Sequence, residues 1–372
     1  MIKVNLVIDT SYLLYKNVFI LKKLKALSDL LDLLERDFNT LSKAFTFDNV
    51  YFASDSRESN WRKLIYKEYK GKRKKDTDID WDFVFKTYDE FKERLSLRNN
   101  VKLLEYSGLE GDDFIAYIVN KSNKKGYSNI IIASDGDLQQ LLTFDLNKNY
   151  INIQWNYRFS DQRLYLPKNY QLFLEQLNNS ENNDIFSLDN DTEFYQFIMN
   201  LIQKTKIADV IQEQIIFEKI VQGDTSDNII SVIKIKNGVY DETGRGIGKD
   251  GAKSVYKLYK EIHPEPIVVD SDDFIKKLVD VVVYYKKIKN PSLELKMKVK
   301  ENIIFNRMLI TLDTQYMPEQ IFESLKTHFK LIDNLVKQTP IIEEAEESFE
   351  DIDENFRIDE TEDFDPDSYW EI

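Results

Sequence analysis

Gly108-Leu109-Glu110-Gly111-Asp112-Asp113 places three carboxylates within four consecutive positions. Ionised carboxylates repel one another and lose hydration when they are crowded, so a fold holds such a cluster most easily around bound cations. Residues 114–119 have apolar side chains at helical spacing and predict a helix that ends near Gly126. Asp112 is then a candidate N-cap, and an acidic helix start favoured by the helix dipole is the alternative to a metal site.

The central cluster has counterparts elsewhere in the first half of the chain. In each case a short apolar run leads to an acid: residues 4–8 to Asp9, 50–53 to Asp55, 101–104 to the central cluster, and 130–133 to Asp135 and Asp137. Short apolar runs separated by helical segments predict an α/β fold, with a mostly parallel sheet covered by helices on both faces. Ligands bind such sheets at the carboxyl ends of the strands, so the acids should converge on one metal site.

Composition limits the chemistry of that site. The 372 residues include no cysteine and only two histidines, His263 and His328, neither of them near the acidic motifs. Thiolate sites, disulfides and histidine-based zinc sites are therefore disfavoured, and oxygen ligands for a hard divalent ion remain. No apolar run approaches the ~20 residues needed to span a bilayer, and the chain runs directly into its first strand without a signal peptide. We expect a cytoplasmic protein, in the host cytoplasm if it is encoded by a phage.

The charge of the chain is strongly segregated. The formal net charge is −14, but residues 341–372 contain 15 acids and a single base, Arg357. The remaining residues carry 50 acids and 50 bases. The acidic tail, residues 339–372, is too charged to fold alone, yet it contains Tyr369 and Trp370. A solubilising segment is one interpretation, and docking on a partner is another.

A basic stretch follows Asp55. Its arginines and lysines are Arg57, Arg62, Lys63, Lys67, Lys70, Lys72, Arg73, Lys74 and Lys75, with Trp61, Tyr66 and Tyr69 interleaved. A solvated helical face is the ordinary interpretation of such a run. Bases contact phosphates, however, and aromatic rings stack on unpaired nucleobases, so the stretch predicts a nucleic-acid contact beside the metal site.

Two motifs in the second half are weaker alone. Gly223-Asp224-Thr225-Ser226-Asp227 places two acids three residues apart, on one face if the segment is helical, although each residue type also suits a helix cap. Gly246-Ile247-Gly248-Lys249 precedes a predicted helix, whose first backbone N–H groups suit a phosphate. The glycine spacing of a P-loop is absent.

Taken in order, these motifs resemble the flap endonuclease and 5′-nuclease superfamily, and most closely the phage ribonuclease H that removes lagging-strand RNA primers. The resemblance covers residues 1–262. It implies a PIN-like nuclease core over residues 1–222, with a basic arch at about 56–82 and an insertion at about 145–215. A helix–three-turn–helix element and helical C-terminal region would follow over residues 223–338. The interval between Asp137 and Asp224 is longer than in compact phage members.

The resemblance also implies roles for single residues. The metal-site acids would be Asp9, Asp55, Glu110, Asp112, Asp113, Asp135, Asp137, Asp224 and Asp227. Arg62 and Lys70 match basic residues of the arch that engage the scissile phosphate. Gly246, Ile247, Gly248 and Lys249 match the turn that grips duplex phosphates, often together with a potassium ion. The bases of the arch, Arg57, Lys63, Lys67, Lys72, Arg73 and Lys74, would contact the nucleic acid.

The activity implied is metal-dependent 5′-3′ exonuclease and flap endonuclease cleavage of branched or nicked duplex DNA and RNA-DNA hybrids during replication. Two Mg²⁺ ions, or Mn²⁺, would activate water and stabilise the leaving oxygen. A catalytically inactive structure-specific DNA-binding protein and a PIN-type ribonuclease remain the alternatives. The acidic tail is a candidate docking segment for a sliding clamp or a single-strand-binding protein, with Tyr369 and Trp370 as anchors.

Overall fold

The computed structural model describes residues 2–56, 60–73, 76–98, 100–158, 161–180, 188–236 and 239–338. Arg57, Lys74 and the acidic tail, for which contacts were predicted, lie outside these residues. Within the described ranges, no helix is both long enough and apolar enough to cross a membrane.

One large sheet organises the first two-thirds of the described chain. Its strands are β1 (Lys3–Asp9), β2 (Asn49–Ala53), β3 (Val101–Leu104), β4 (Tyr127–Ile132), β5 (Phe144–Asp145), β6 (Tyr150–Asn156), β7 (Arg163–Pro167) and β8 (Lys206–Val210). The spatial order is β3-β2-β1-β4-β6-β7-β8, with β5 paired to β6. β3, β2, β1, β4 and β6 are parallel neighbours, whereas β7 runs antiparallel to β6. A mostly parallel sheet was predicted and is confirmed.

Helices cover both faces of this sheet. The α-helices of the described chain are α1 (Thr10–Leu24), α2 (Leu30–Ser42), α3 (Trp61–Ile65), α4 (Trp81–Ser96), α5 (Gly111–Asn123), α6 (Gln171–Ser180), α7 (Leu188–Lys204), α8 (Gln212–Gln222), α9 (Lys249–Ile262), α10 (Asp272–Tyr285), α11 (Leu293–Ile310) and α12 (Glu319–Gln338). Short 3₁₀ segments span Leu27–Asp29, Asp137–Leu141 and Thr314–Tyr316, and a small hairpin pairs β9 (Ile235–Lys236) with β10 (Val239–Tyr240).

Alternation along β1 divides the core into two layers. Leu6 and Ile8 pack with α1, α2 and α4 on one face, while Val7 packs with α5 and α12 on the other. Side chains such as Phe91 are fully buried, and burying one of this size contributes about 1.5–3 kcal/mol. The strands are apolar on both faces because both faces are covered, as expected for a parallel sheet.

A row of four asparagines, three of them buried, fixes the strand register. Nδ2 of Asn49 donates to Asn5 Oδ1 at 2.9 Å, Asn5 donates to Asn129 at 3.0 Å, and Asn129 donates to Asn152 at 2.7 Å. Asn152 closes the row by donating to the Leu141 carbonyl at 3.1 Å. A register slip of one residue would bury these amides without partners, so the row holds the carboxyl ends of β2, β1, β4 and β6 level.

The long interval between Asp137 and Asp224 extends the sheet. β6 and β7 form an antiparallel hairpin in the register Trp155↔Leu164, and β8 adds in parallel to β7. Phe173 of α6 and Ile198 of α7 pack into the same core as β1.

Helices α8 to α11 enclose a third apolar cluster, which includes Phe217 and Phe274. Gly223 begins the turn after α8 with φ +76°, and a Cβ there would lie 2.4 Å from the Ile229 carbonyl oxygen. The segment after it is a turn closed by backbone hydrogen bonds between Asp224 and Ile229, at 2.9 and 2.7 Å. The helical arrangement considered for Asp224 and Asp227 is therefore wrong.

Candidate metal centre and nucleic-acid interface

Parallel strands bring the acidic motifs to one edge of the sheet. Asp9 is the last residue of β1 and lies in register with Ala53 of β2, two residues before Asp55. Asp135 and Asp137 follow β4, and Gln154 of β6 holds their loop by donating to the carbonyls of Ala133 and Asp135 at 3.1 and 2.9 Å. The convergence predicted from the strand pattern is present.

A polar cleft of about 490 Å³, open to solvent, lies at this edge. Six of the predicted metal-site acids line it: Glu110, Asp112, Asp135, Asp137, Asp224 and Asp227. Four basic side chains, Arg62, Lys70, Arg73 and Lys219, line it as well. The cleft therefore combines the two kinds of charge that phosphodiester chemistry requires, within one concave site.

Four carboxylates near the cleft act on one another. Burial, with the charges of Asp55 and Asp135, raises the pKa of Asp9 from 3.8 to about 8. Burial, with Asp135, Asp9 and Asp55, raises the pKa of Asp112 well above its usual range. These four oxygen-bearing side chains are close enough to disfavour joint ionisation, which is the condition that a divalent cation relieves.

Backbone and hydroxyl donors orient two members of this group. Asp9 caps α1 by accepting from the N–H groups of Ser11 and Tyr12 at 3.0 and 3.3 Å. Asp55 accepts from Ser11 Oγ at 2.8 Å and from the Gly111 N–H at 2.7 Å. These donors orient the two side chains but place no positive charge beside them.

Glu110 lies at the centre of a buried ion-pair network. Its Oε2 is 2.7 Å from Arg62 Nη1, and its Oε1 is 2.5 Å from Lys70 Nζ. Tyr69 Oη and Asn60 Nδ2 also donate to this carboxylate, at 3.2 and 2.8 Å. Burial alone would raise the pKa of Glu110, but the charges of Lys70 and Arg62 outweigh it and lower the pKa to about 2. Glu110 is therefore ionised and internally neutralised.

Asp113 is a scaffold residue in this arrangement. It is 1% exposed, and its oxygens accept from Arg62 Nη2 at 2.9 Å, Trp61 Nε1 at 3.1 Å and the Glu110 N–H at 3.0 Å. Glu110 is the N-cap of α5, so the prediction that Asp112 caps this helix is wrong, and Asp112 lies in the first turn instead. The contacts with Arg62 and Trp61 tie α5 to α3, and the contact with the Glu110 N–H caps α5.

Arg62 differs from expectation in a related way. It is 2% exposed, and besides Glu110 and Asp113 it donates through Nε to the Leu309 carbonyl of α11 at 3.0 Å. Its guanidinium thereby joins α3, α5 and α11 beneath the cleft. Lys70, by contrast, has a side chain 20% exposed, adopts φ +54° and lines the cleft.

The remaining predicted acids also face cations. Lys219 Nζ lies 2.8 Å from Asp137 Oδ1 and 2.6 Å from Asp224 Oδ2, and Arg73 Nη2 lies 2.7 Å from Asp227 Oδ1. Burial raises the pKa of Asp137 to about 7 against the opposing charge of Lys219. Sequence reasoning missed Lys219, although its position five residues before Asp224 on an amphipathic helix was a usable signal.

The present arrangement of these acids does not match a formed metal site. In the described part of the chain, no group of three or more acidic or histidine side chains is arranged so that it could hold a metal ion as it stands. The physical reason is visible: lysine and arginine side chains lie between several of the acids, and the others repel. The donor set suits a hard divalent cation, but binding one requires these side chains to move.

Only some of the described residues in the basic stretch that follows Asp55 are exposed for the predicted nucleic-acid contact. Lys63, Lys67 and Lys72 are exposed. Trp61 and Tyr69 are 1% and 3% exposed, so the prediction that these rings stack on unpaired bases is wrong. Both rings are buried because they pack and hydrogen-bond against the acidic core.

The glycine loop, residues 244–248, begins α9. Gly246 has no space for a side chain, because a Cβ would lie 2.8 Å from Ser231 Cβ. Ile247 is buried, and its N–H donates to Ser231 Oγ at 2.9 Å. Gly248 is the N-cap of α9, with no side-chain hydrogen bond at the cap, and Lys249 is exposed beside it. The loop thus directs the first turn of α9 outward, as a phosphate site requires.

The carbonyl oxygens of this loop already face a cation. Lys286 Nζ donates to the Arg245 and Gly246 carbonyls at 3.1 and 2.8 Å. A potassium ion on these oxygens would have to displace that ammonium, so the residues present do not fit the ion suggested by the resemblance.

Known proteins share this sequence pattern and fold. Residues 4–170 match the family model described as the 5′-3′ exonuclease, N-terminal resolvase-like domain. A 5′-3′ exonuclease of Mycoplasmopsis pulmonis is 24% identical over 331 residues, spanning 86% of this chain and 89% of that protein. The ribonuclease H of Enterobacteria phage T4 is 28% identical over 104 residues, which is 27% of this chain and 34% of that protein.

Solved structures extend the likeness beyond that domain. A bacteriophage T5 flap endonuclease, in a pseudo-enzyme-product complex with DNA and metal ions, superimposes with a TM-score of 0.52 at 18% identity, over 90% of this chain and all of that one. A zinc-bound T5 5′-exonuclease gives 0.51 at the same identity, over 89% of this chain. At this identity the likeness shows the fold alone. The family model and the fold agree: residues 4–170 of the chain are similar to the 5′-3′ exonuclease N-terminal resolvase-like domain.

Proposed function

We propose that the chain is a divalent-metal-dependent 5′-3′ exonuclease and flap endonuclease, which hydrolyses phosphodiester bonds in DNA and at RNA-DNA primer junctions. The observation that carries this proposal is the cleft in which six acids and four bases meet at the carboxyl edge of the sheet. Paired charges of this kind, without a histidine or cysteine, suit cation-assisted hydrolysis of a polyanion.

The residues proposed to hold divalent cations fall into two groups. Asp9, Asp55, Asp112 and Asp135 repel one another and would bind first. Glu110, Asp137, Asp224 and Asp227 would join after their lysine and arginine partners move away. Mg²⁺, or Mn²⁺, supplies an activated water and stabilises the leaving oxygen when bound in pairs. Asp113, predicted with these acids, would support the site through Arg62.

The basic residues would position the substrate. Lys70 would contact the scissile phosphate, because its ammonium lies in the cleft beside Glu110. Arg62 would hold Glu110 in place from below. Exposed Lys63, Lys67 and Lys72 would attract the strand that carries the 5′ end, and the glycine loop with Lys249 would contact the duplex. In this proposal residues 1–222, together with Asp224 and Asp227, perform the chemistry, and the remainder of residues 223–338 holds the duplex.

A magnesium titration on a 5′-labelled flap substrate tests the proposal. Cleavage should require Mg²⁺ or Mn²⁺ and should be lost in Asp112→Asn, while binding to the flap in EDTA stays within about twofold of wild type. Asp82→Asn, which alters an exposed acid in the first turn of α4, is the matched control and should cleave normally.

The same assay separates the alternatives. Flap binding with no cleavage at any metal concentration would indicate an inactive structure-specific DNA-binding protein. Cleavage confined to single-stranded RNA would indicate a PIN-type ribonuclease. Wild-type turnover by Asp112→Asn would refute the metal assignment itself.

We also propose that the acidic tail docks on a replication partner, either a sliding clamp or a single-strand-binding protein. Its support is sequence alone: 15 acids repel DNA, while Tyr369 and Trp370 offer apolar anchors at the end of the chain. Deleting residues 341–372 should leave cleavage by the isolated enzyme unchanged and abolish stimulation by the partner. A large rise in DNA affinity of the truncated enzyme at low salt would instead show that the tail competes with DNA for the basic segment.

A further inference from the structure

A lysine from outside the glycine loop contacts the loop's carbonyl oxygens. Lys286 follows the last residue of α10, and its Nζ reaches the loop carbonyls of Arg245 and Gly246 at 3.1 and 2.8 Å. The Arg245 carbonyl also accepts from the Ile235 N–H at 3.2 Å, so its two lone pairs are both used. These contacts join α10 and the β9 hairpin to the segment that begins α9.

The ammonium group of Lys286 is partly desolvated. The side chain is half-buried, and burial together with the nearby Arg245 charge lowers its pKa. Hydrogen bonds to carbonyl oxygens offset the free-energy cost of removing water from an ammonium group.

The inner side of the loop is fixed independently. Ser231 Oγ accepts from the Ile247 N–H at 2.9 Å and donates to the Val221 carbonyl at 3.1 Å. With Ser231 on one side and Lys286 on the other, the peptide groups on both sides of Gly246 have little rotational freedom. Their orientation determines where the first N–H groups of α9 point.

We propose that the Lys286 ammonium is the resident cation of the glycine loop, in place of a monovalent metal ion. Carbonyl oxygens that point together repel unless a cation lies between them, and an ammonium of nearly the size of K⁺ meets that need through hydrogen bonds. The loop would then present its N–H groups to a duplex phosphate without K⁺. This inference rests on the proposed function for its ligand, duplex DNA, but not for its geometry.

The first test measures binding of a flap duplex in EDTA, at constant chloride concentration, with K⁺ or tetramethylammonium as the cation. Wild-type Kd should be the same in both salts. Lys286→Met should bind about tenfold more weakly in tetramethylammonium, and K⁺ should restore most of that loss by entering the opened carbonyl pair. Lys289→Met removes the same charge from an exposed position three residues later and is the control.

Three results would overturn the proposal. Wild-type binding that needs K⁺ would show that the loop still takes a metal ion. Equal binding by the Lys286→Met and Lys289→Met variants would reduce Lys286 to a surface charge. A loss in Lys286→Met that K⁺ does not restore would show that the carbonyls are not a cation site.

The second test needs no DNA, so it survives failure of the proposed function. Amide hydrogen exchange across residues 247–252 should be about tenfold faster in Lys286→Met than in wild type or Lys289→Met, because the loop loses one of its two supports. Absence of flap binding by wild type would refute the proposed function only, whereas unchanged exchange in Lys286→Met would refute the role of Lys286.

Discussion

Replacing Asp9 by asparagine should make the metal-free protein more stable above neutral pH, although it removes a proposed metal ligand. Asp9 is 9% exposed, and burial with Asp55 and Asp135 raises its pKa from 3.8 to about 8. Asparagine keeps the size of the side chain and can still accept from the Ser11 and Tyr12 N–H groups at the start of α1. The substitution therefore removes mainly the ionisation.

The sign and size of the effect follow from linkage. The unfolded chain releases the Asp9 proton near pH 4, whereas the folded protein retains it up to about pH 8. The contribution of the Asp9 proton to the free energy of unfolding is therefore fully present below pH 4 and is lost progressively as the pH rises to 8. Each pKa unit corresponds to about 1.4 kcal/mol, so the upper limit is about 6 kcal/mol. Water penetration and side-chain movement reduce it, and we expect about 2 kcal/mol.

Urea unfolding in EDTA at about pH 5.5 and pH 8.5 measures this difference, with Asp82→Asn as the exposed control. From the lower to the higher pH, the free energy of unfolding of Asp9→Asn should rise relative to that of wild type. The free energy of unfolding of Asp82→Asn should stay within about 0.5 kcal/mol of the wild-type value. Adding Mg²⁺ at the higher pH should stabilise wild type more than Asp9→Asn, because only wild type retains the full set of acids.

One result would refute the reasoning. If Asp9→Asn and Asp82→Asn changed the free energy of unfolding equally at both pH values, ionisation of Asp9 would not destabilise the fold. Its repulsion with Asp55 and Asp135 could then contribute nothing to the free energy of metal binding.

Four further predictions test other parts of the molecule. Lys219→Met should lower the free energy of unfolding by about 2–4 kcal/mol in EDTA at pH 8 and regain part of it in Mg²⁺, since the half-buried carboxylates of Asp137 and Asp224 lose their shared cation; an unchanged free energy of unfolding would contradict this ion pairing. Lys70→Ala should slow single-turnover cleavage far more than it weakens binding, unlike the exposed control Lys63→Ala. Asn129→Leu should cost about 2–3 kcal/mol in urea unfolding, because two buried amides lose partners. Lys249→Ala should reduce the salt dependence of duplex binding by about one phosphate contact, and an unchanged slope would place Lys249 away from the DNA.

The sheet and its acidic edge were predictable because their signals are local. A short apolar run followed by an acid specifies both a buried strand and the residue at its carboxyl end, and parallel pairing then brings such ends together. Asp9, Asp55 and Asp135 were located in this way. Nothing beyond the period of the strands and the order along the chain was needed.

Partners across the cleft were not predictable by the same means. Lys219 meets Asp137 because α8 packs beside the 3₁₀ turn after β4, a contact between residues 82 positions apart. The buried positions of Trp61 and Tyr69 likewise depend on α3 folding against α5, which a basic and aromatic composition does not reveal. A local signal did exist for the N-cap: Glu110 and Asp113 have the three-residue spacing of a capping box, which favours Glu110 over Asp112 as the N-cap.

The charges that each carboxylate faces divide the cleft into two halves with different energetics. Glu110 and Asp224 have their negative charge matched by lysine or arginine side chains, which lower the pKa of each. Asp9 and Asp112 face other acids instead, and their ionisation opposes folding. A divalent cation that binds the second group relieves repulsion, whereas one that binds the first must displace a side-chain cation. In the proposed metal site, the free energy of cation binding would therefore be concentrated at Asp9 and Asp112, so neutralising Asp9 should both stabilise the fold and weaken metal binding.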